Sequence, residues 1–316
     1  MNAVRHYIVR RLLGAVPVLL GISLLAFVLA QLSPGDPAEI MLEAAGTGMP
    51  SAEEVAALHS YLGLDQPAYV QYGLWLWRIL HGDGGISYHL GMPVFTVLLA
   101  RLPVTVMLAA ASLCWAAVGG IGLGLLMARM RGTWAAMLLH GVTQVMLATP
   151  SFLTAIFLIL IFGVWLHVLP TNGVDAAAGY LLPSFALALV TLAMTAQLLD
   201  AQLREALASL YAQTARLRGL SEGRVLLTYA LPNALVPVTA MLGNFAAAVL
   251  GGAIIVETVF ALPGIGSLAL DAIHYRDYPL LQGYVLFLGG IYVLVTLAVD
   301  LVLARMDPRI VLGGGD

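Results

Sequence analysis

"REALASLYAQTARLRGLSEGRVLLTYALPNALVP", residues 204–237, carries four arginines between two apolar runs of a chain that otherwise avoids charge. Helix formers fill 204–217, and Gly219 stands where a left-handed C-cap is expected. Ser221 can cap a second helix with Glu222 in its first turn, and Leu220 can staple against Val225. Pro232 is expected to end that helix. The expected product is a helix, a bend and a short helix. It presents Leu217, Leu220, Val225 and Leu226 as an apolar knob rimmed by Arg216, Arg218 and Arg224. A partner's groove explains such a knob; lying on an anionic membrane surface is the alternative.

The flanking runs decide the fold class. Charged residues are 10% of the 316 and apolar residues 61%, where a soluble domain carries about 25% charge. Apolar runs lie at 12–32, 104–127, 137–168, 180–199, 236–260 and 283–303. Each reaches the length of about 20 residues that a helix needs to cross about 30 Å of hydrocarbon, with tilt to absorb any excess. An all-α membrane protein with six transmembrane helices is predicted, both termini on one side. The pattern lacks the short alternating segments of a membrane β-barrel.

All 14 basic residues are arginine. Without lysine there is no P-loop and no lysine Schiff base, so any ATP-driven work falls to a partner. Single Cys114 excludes an intramolecular disulfide or a cysteine metal cluster. With the N-terminus in the cytoplasm, the inner segments hold Arg5, Arg10, Arg11, Arg129, Arg131, Arg204, Arg216, Arg218, Arg224, Arg305 and Arg309. The outer ones hold Arg78, Arg101 and Arg276. Eleven against three places both termini and residues 204–237 inside. The first run, at 21 residues, exceeds a signal-peptide core and reads as an uncleaved span.

Residues 33–101 form the longest polar region, outside. "SPGDP" at 33–37 is a turn cluster, and Ser51 with Glu54 makes a capping box for a short helix ending near Gly63. "YVQYGLWLWRIL", 69–80, interleaves Tyr69, Tyr72, Trp75 and Trp77 with Arg78, as suits a helix at headgroup level. An ordinary capped surface helix is the alternative. Gly120 and Gly124, and Gly243, Ala247 and Gly251, offer faces for close helix packing; "GGIGLG" at 119–124 lacks dinucleotide-fingerprint spacing.

Gln213-Thr214-Ala215, then Gly219, then "YALP" at 229–232 resembles the EAA loop, the ATPase-coupling motif of permeases in binding-protein-dependent ABC importers. Gln213 and Thr214 replace the Glu and first Ala of the general motif. "RR" at 10–11, "GDP" at 35–37, "LGLDQP" at 62–67, "GDGGIS" at 82–87 and "ARLRGL" at 215–220 resemble the dipeptide/oligopeptide/nickel family. So do "NALVP" at 233–237, "VETVFALPGIG" at 256–266, "RDYP" at 276–279 and "DPR" at 307–309. The resemblance covers nearly the whole chain and is to the first permease of the pair.

That resemblance implies an ABC type I importer permease fold. Its permease domain is expected over 95–304, after a first span within 1–32 and an extracytoplasmic helical region at 33–101, and before a cytoplasmic tail at 305–316. The implied setting is the bacterial inner membrane. A homologous second permease, two cytoplasmic ATPases carrying ATP and Mg, and an extracytoplasmic solute-binding protein are the implied partners, with no nucleic acid. The chain itself is then neither an enzyme nor a cofactor holder. Coupling is expected from Gln213, Thr214, Ala215, Arg216, Arg218, Gly219, Leu220 and Pro232. Here Gly219 allows the bend, and Arg216 and Arg218 offer rim contacts to acidic groups.

Polar residues within spans are path candidates, because lipid penalises them. These are Gln144, Thr149, Thr191, Gln197, Asn244 and Glu257, beside Thr143 and Ser151. Glu257 could equally be a helix-end carboxylate meeting water or Arg276. Pro150 and Pro183 are expected to bend spans three and four. His59, His81 and His89, near Met41, Met49 and Met92, lack the spacing that puts two metal ligands on one helical face. Residues 63–87 and "ARLRGL" look closer to nickel-type members, so nickel or its chelates stand beside small peptides as solute. A secondary transporter would need a mid-span charge for ion coupling, and a serine protease built on Ser267 and His274 lacks G-x-S-x-G.

Overall fold

The structure, a computed structural model, describes residues 2–32, 35–44, 50–171, 173 and 177–306. Ser33, Pro34, Met49, "DPR" at 307–309 and the tail from 307 onward lie outside the described residues, as does the side chain of Arg5. Helices dominate, and the described residues contain no strand, only an isolated bridge between Ile86 and Pro93.

α1 (Asn2–Leu32) is the first long apolar helix. Three short helices follow: α2 (Pro37–Ala44), α3 (Ala52–Leu62) and α4 (Ala68–Leu80). Ser51 caps α3 as its sequence predicts. Its hydroxyl oxygen accepts from Glu54 N at 3.3 Å; Ser51 N and the Ser51 hydroxyl donate to the Glu54 carboxylate at 2.9 and 2.8 Å, and these last two bonds hold that carboxyl below its ordinary pKa. Gly63 ends the helix at φ 71°.

α5 (Val94–Cys114) continues through π turns at Trp115–Gly119 into α6 (Gly120–Arg129), one apolar helix of 36 residues. α7 (Trp134–Ala148) and α8 (Ser151–Leu158), the latter extended by π turns at Ile159–Trp165, meet at 103°. The 137–168 run is therefore two helices that meet at a sharp break. Pro150 lacks the N–H needed to continue α7 and pushes Thr149 to ψ 118°. Pro183, in contrast, sits in the first turn of α9 (Leu181–Ala208), where a missing N–H leaves no bond unmade, so it begins that helix rather than bending it.

After α9 come α10 (Leu210–Leu217) and α11 (Glu222–Arg224), which passes through π turns at Val225–Ala230 into α12 (Leu231–Gly252). α13 (Ile254–Val259), α14 (Ile265–His274) and α15 (Tyr278–Met306) complete the chain. Among the described residues five helices are long and apolar enough to cross a membrane, or six spans if the bent pair is one.

The chain forms two compact units. One is built mainly on Val106–Leu262. In it α6 packs on α9 through the two glycines singled out above. A Cβ on Gly120 would lie 2.5 Å from Thr195 Cβ and 2.8 Å from Leu192 O, and one on Gly124 would lie 2.8 Å from Ala196 O. Gly243 likewise meets Val299 of α15, whereas Gly251 has nothing within 4 Å, so only part of that stripe is a contact face. Gly120→Ala should therefore lower stability by about 1–3 kcal/mol through overpacking. Gly122→Ala, with nothing within 4 Å, should be neutral or gain up to about 1 kcal/mol by helix propensity. Thermal unfolding of the purified transporter carrying each variant checks the contrast.

The other unit joins Ile8–Thr105 to Pro263–Val293. Its core sets Val94, Val97 and Leu98 of α5 against Ile265, Leu268, Ala269 and Ala272 of α14 and Leu280 and Tyr284 of α15. Ile265 N caps onto the Thr105 hydroxyl at 2.9 Å. Two motifs 190 residues apart meet here: the Ser87 hydroxyl donates to the fully buried Asp277 carboxylate, which also accepts from His89 N at 3.2 Å and from Leu280 N at 3.2 Å. Asp277 thereby closes the 82–93 loop onto the start of α15. Burial, helped by the Asp277 charge, pushes the neighbouring Tyr88 phenol up to about 12, so it stays protonated at neutral pH.

Candidate functional site

The arginine-rich segment at 204–237 is built in four steps. α9 carries helical structure past the apolar run as far as Ala208, and Ser209 then turns extended (ψ 159°), its hydroxyl donating to Ala206 O. The single helix expected over 204–217 is therefore two, because serine competes locally for backbone partners. α10 follows, amphipathic over barely two turns. Ala212 and Ala215 are buried with Val225 and, less deeply, Leu207 and Leu220. Leu210 and Leu217 are 80% and 88% exposed, with Gln213 and Thr214 exposed between them. Spacing of i, i+3, i+4 and i+7 puts these four on one stripe.

Gly219 makes the bend at φ 81°, donating to Arg216 O at 2.9 Å while Leu220 N donates to Ala215 O at 3.3 Å. No side chain or backbone lies within 4 Å of the place its Cβ would occupy. Glycine is favoured here by the backbone conformation and not by packing. Leu220 packs near Val225 as the staple predicts, but Ser221 makes no side-chain cap bond.

Three expectations change. Arg216 is not a free rim cation: its Nε and Nη2 grip Glu222 at 2.7 and 3.2 Å and its Nη1 donates to Leu207 O at 2.8 Å. It brackets the bend from within, while Arg218 is exposed beyond it. Val225 is fully buried and Leu226 half-buried, so the exposed leucines of the segment are Leu210, Leu217 and Leu227. Pro232 does not stop its helix either. The i→i+5 turns at Val225–Ala230 widen the helix just ahead of it, and Pro232 enters the first turn of α12, where its absent N–H is tolerated.

One cluster escaped the sequence reading. Asp200, 1% exposed on α9, accepts from Arg131 Nη2 and Arg204 Nη2, each at 2.8 Å, and His140 Nε2 stands 3.6 Å away. A single buried carboxylate thus ties the α6–α7 turn, α7 and the last turns of α9, just before Ser209. The i, i+4 spacing of Asp200 and Arg204 is legible in sequence; the Arg131 contact is not.

The path candidates divide. Gln197 Nε2 donates to the buried Thr143 hydroxyl at 3.0 Å, a bond that joins α9 to α7. Thr149 donates to Val145 O at 2.7 Å beside the break, and Thr191 is buried on α9. Ser151 opens α8. Gln144 on α7 and Asn244 on α12 are exposed. Glu257 on α13 is fully buried, so it is not a carboxylate meeting water. His59 lies between the carboxylates of Asp36, at 3.1 Å, and Asp65, at 3.3 Å. Among the described residues no group of three or more His, Cys, Asp or Glu is placed to hold a metal.

Residues 120–312 match the family described as "Binding-protein-dependent transport system inner membrane component", and residues 4–109 match the N-terminal membrane-component family of the same systems. A permease protein of Brucella suis biovar 1 named for a peptide transport system is 38% identical over 311 residues, covering 96% of this chain and 98% of its own. The glutathione transport system permease protein of Escherichia coli (strain K12) is 35% identical over 305 residues, with the same coverage. In fold, the chain is similar to the MetNI methionine ABC transporter in its inward-facing conformation, at a TM-score of 0.56 and 17% identity over 67% of this chain and 97% of that one. These relatives are transport subunits rather than enzymes, and on a match of this length the chain belongs to the family of binding-protein-dependent inner membrane components, the permeases of ABC importers.

Proposed function

We propose that this chain is the translocating subunit of an importer for small peptides or glutathione-type solutes, and that α10 with the Gly219 bend is its seat on a partner ATPase. The observation that carries the coupling role is the exposed Leu210–Gln213–Thr214–Leu217 stripe, which backs onto a buried Ala212–Ala215–Val225 cluster. An apolar stripe with two polar residues on a short rigid helix fits a groove, and burial behind it makes the helix and bend move as one body. Closure of two ATPases on ATP and Mg would push this body, and α9 and α12 would carry the motion into the spans. Arg218 and Arg224 remain outward cations of this loop, while Arg216 holds its shape.

The arginine count supports cytoplasmic termini and coupling loop, with residues 33–101 facing the solute-binding protein. Gln144 and Asn244 are exposed amides on spanning helices, which suits a water-lined path or the face toward the second permease better than lipid. The names of the relatives favour peptides or glutathione, and they lend the nickel leaning no support.

Cells carrying the whole operon should accumulate labelled dipeptide or glutathione, and radioactive nickel should not follow. Nickel uptake without peptide uptake would reverse the assignment. A cytoplasm-active reporter fused after Asp316 should give signal, and activity only for an exported reporter would invert the topology.

A further inference from the structure

Helix α4 has apolar side chains on two faces. One face packs on α1: the Tyr72 and Ser23 hydroxyls are 2.8 Å apart, and the Phe27 ring lies 5.4 Å from Tyr72 and 6.0 Å from Trp75. A Gln31–Gln71 bond at 2.8 Å closes the contact nearer the end of α1. Ser23 is nine residues short of Leu32, a distance of about 14 Å along a helix. Helix α4 thus lies level with the last turns of a membrane-crossing helix, alongside it and not beyond its end.

The other face is bare. Tyr69 (78% exposed), Leu74, Trp77 and Leu80 point away from the contact, with Gly73 between them. No residue of α4 is fully buried, none is acidic, and Arg78 is its one charge. An ordinary surface helix would turn polar groups outward here. Over the same stretch α1 exposes the apolar Leu24, Leu25, Val28, Leu29 and Leu32, so α4 lies beside a spanning helix whose own open surface is suited to lipid.

We propose that α4 is embedded in the membrane interface, with Tyr69, Leu74, Trp77 and Leu80 against lipid acyl chains and Arg78 at the headgroups. Depth set by the α1 contact, an aromatic-rich composition and one cationic residue are the marks of such a helix. Its role would be to anchor the chain between α1 and α5 at a fixed height. The inference uses the family's membrane location and is independent of the solute and of the coupling role.

The test places single cysteines at 69, 74, 77 and 80, one at a time, in the complete transporter with Cys114→Ser, reconstituted in lipid bilayers. Each is spin-labelled, with Asp65→Cys as an aqueous reference and Leu25→Cys as a lipid reference. Accessibility to oxygen relative to a water-soluble chromium complex should be several-fold higher at the four positions than at 65, and close to that at 25. Ratios like that at 65 would show water on this face, and labels shielded from both reagents would show a second protein there. Either result overturns the proposal.

Discussion

Replacing Gly219 by isoleucine is expected to abolish solute-stimulated ATP hydrolysis by the assembled transporter while leaving the amount of this subunit in the membrane unchanged. The argument rests on two observations at one residue. Gly219 has φ 81°, a region that penalises an L-residue by about 1–2 kcal/mol and a β-branched one most. Beyond its chain neighbours nothing lies within 4 Å of its missing Cβ, so an added Cβ meets no packed neighbour and the effect falls on the bend. The strain is small beside a total stability of about 5–15 kcal/mol, so the protein folds. It is large enough to re-aim α10. Gly219→Asn should retain most of the coupling, because asparagine enters the left-handed region readily. ATPase assays on reconstituted complexes, with and without loaded binding protein, compare both variants with the native chain. Equal loss in the asparagine and isoleucine variants would trace the effect to something other than backbone conformation.

The second large effect concerns Asp200. Neutralising both partners with Arg131→Gln and Arg204→Gln leaves a carboxylate that is 2% exposed without its cations and should cost about 3 kcal/mol, the lower end of the range for an orphaned buried charge. Removing the carboxylate should do less harm. The two guanidiniums are 39% and 61% exposed and can be solvated where they stand, so Asp200→Asn should be milder than the double arginine variant. Adding Asp200→Asn to that double variant should restore part of the loss. Thermal unfolding of the purified transporter reads the order of the three. If Asp200→Asn proves the most damaging, the cluster works through its negative charge and not through charge balance.

Much of the fold was legible in sequence because the signals are local. Ser51 and Glu54 are three residues apart and cap one helix, and Gly63 and Gly219 declare left-handed turns wherever they sit. Gly120 and Gly124 marked a packing face without naming α9 as its partner. Errors arose where local signals compete. Ser209 and Pro232 each have two readings, and the neighbouring turns chose between them: an extended break at the serine, and π turns that let the helix run through the proline. Arg216 looks like a contact for a partner in sequence, because a sequence does not show that Glu222 comes back to it across the bend.

What the sequence by itself determined is what depends on composition and short spacing: a helical membrane protein, the absence of a P-loop lysine, the capped helices, and a cationic bent segment between two spans. Only the tertiary structure decided which distant residues share a buried carboxylate. Asp277 receives Ser87 from 190 residues away, and Asp200 receives Arg131 from 69. The 103° break made one run of apolar residues into two helices. The reason is physical: hydrophobicity and backbone propensity are properties of each residue and its near neighbours, whereas a buried carboxylate is stable only beside the particular donors that the folded chain delivers to it.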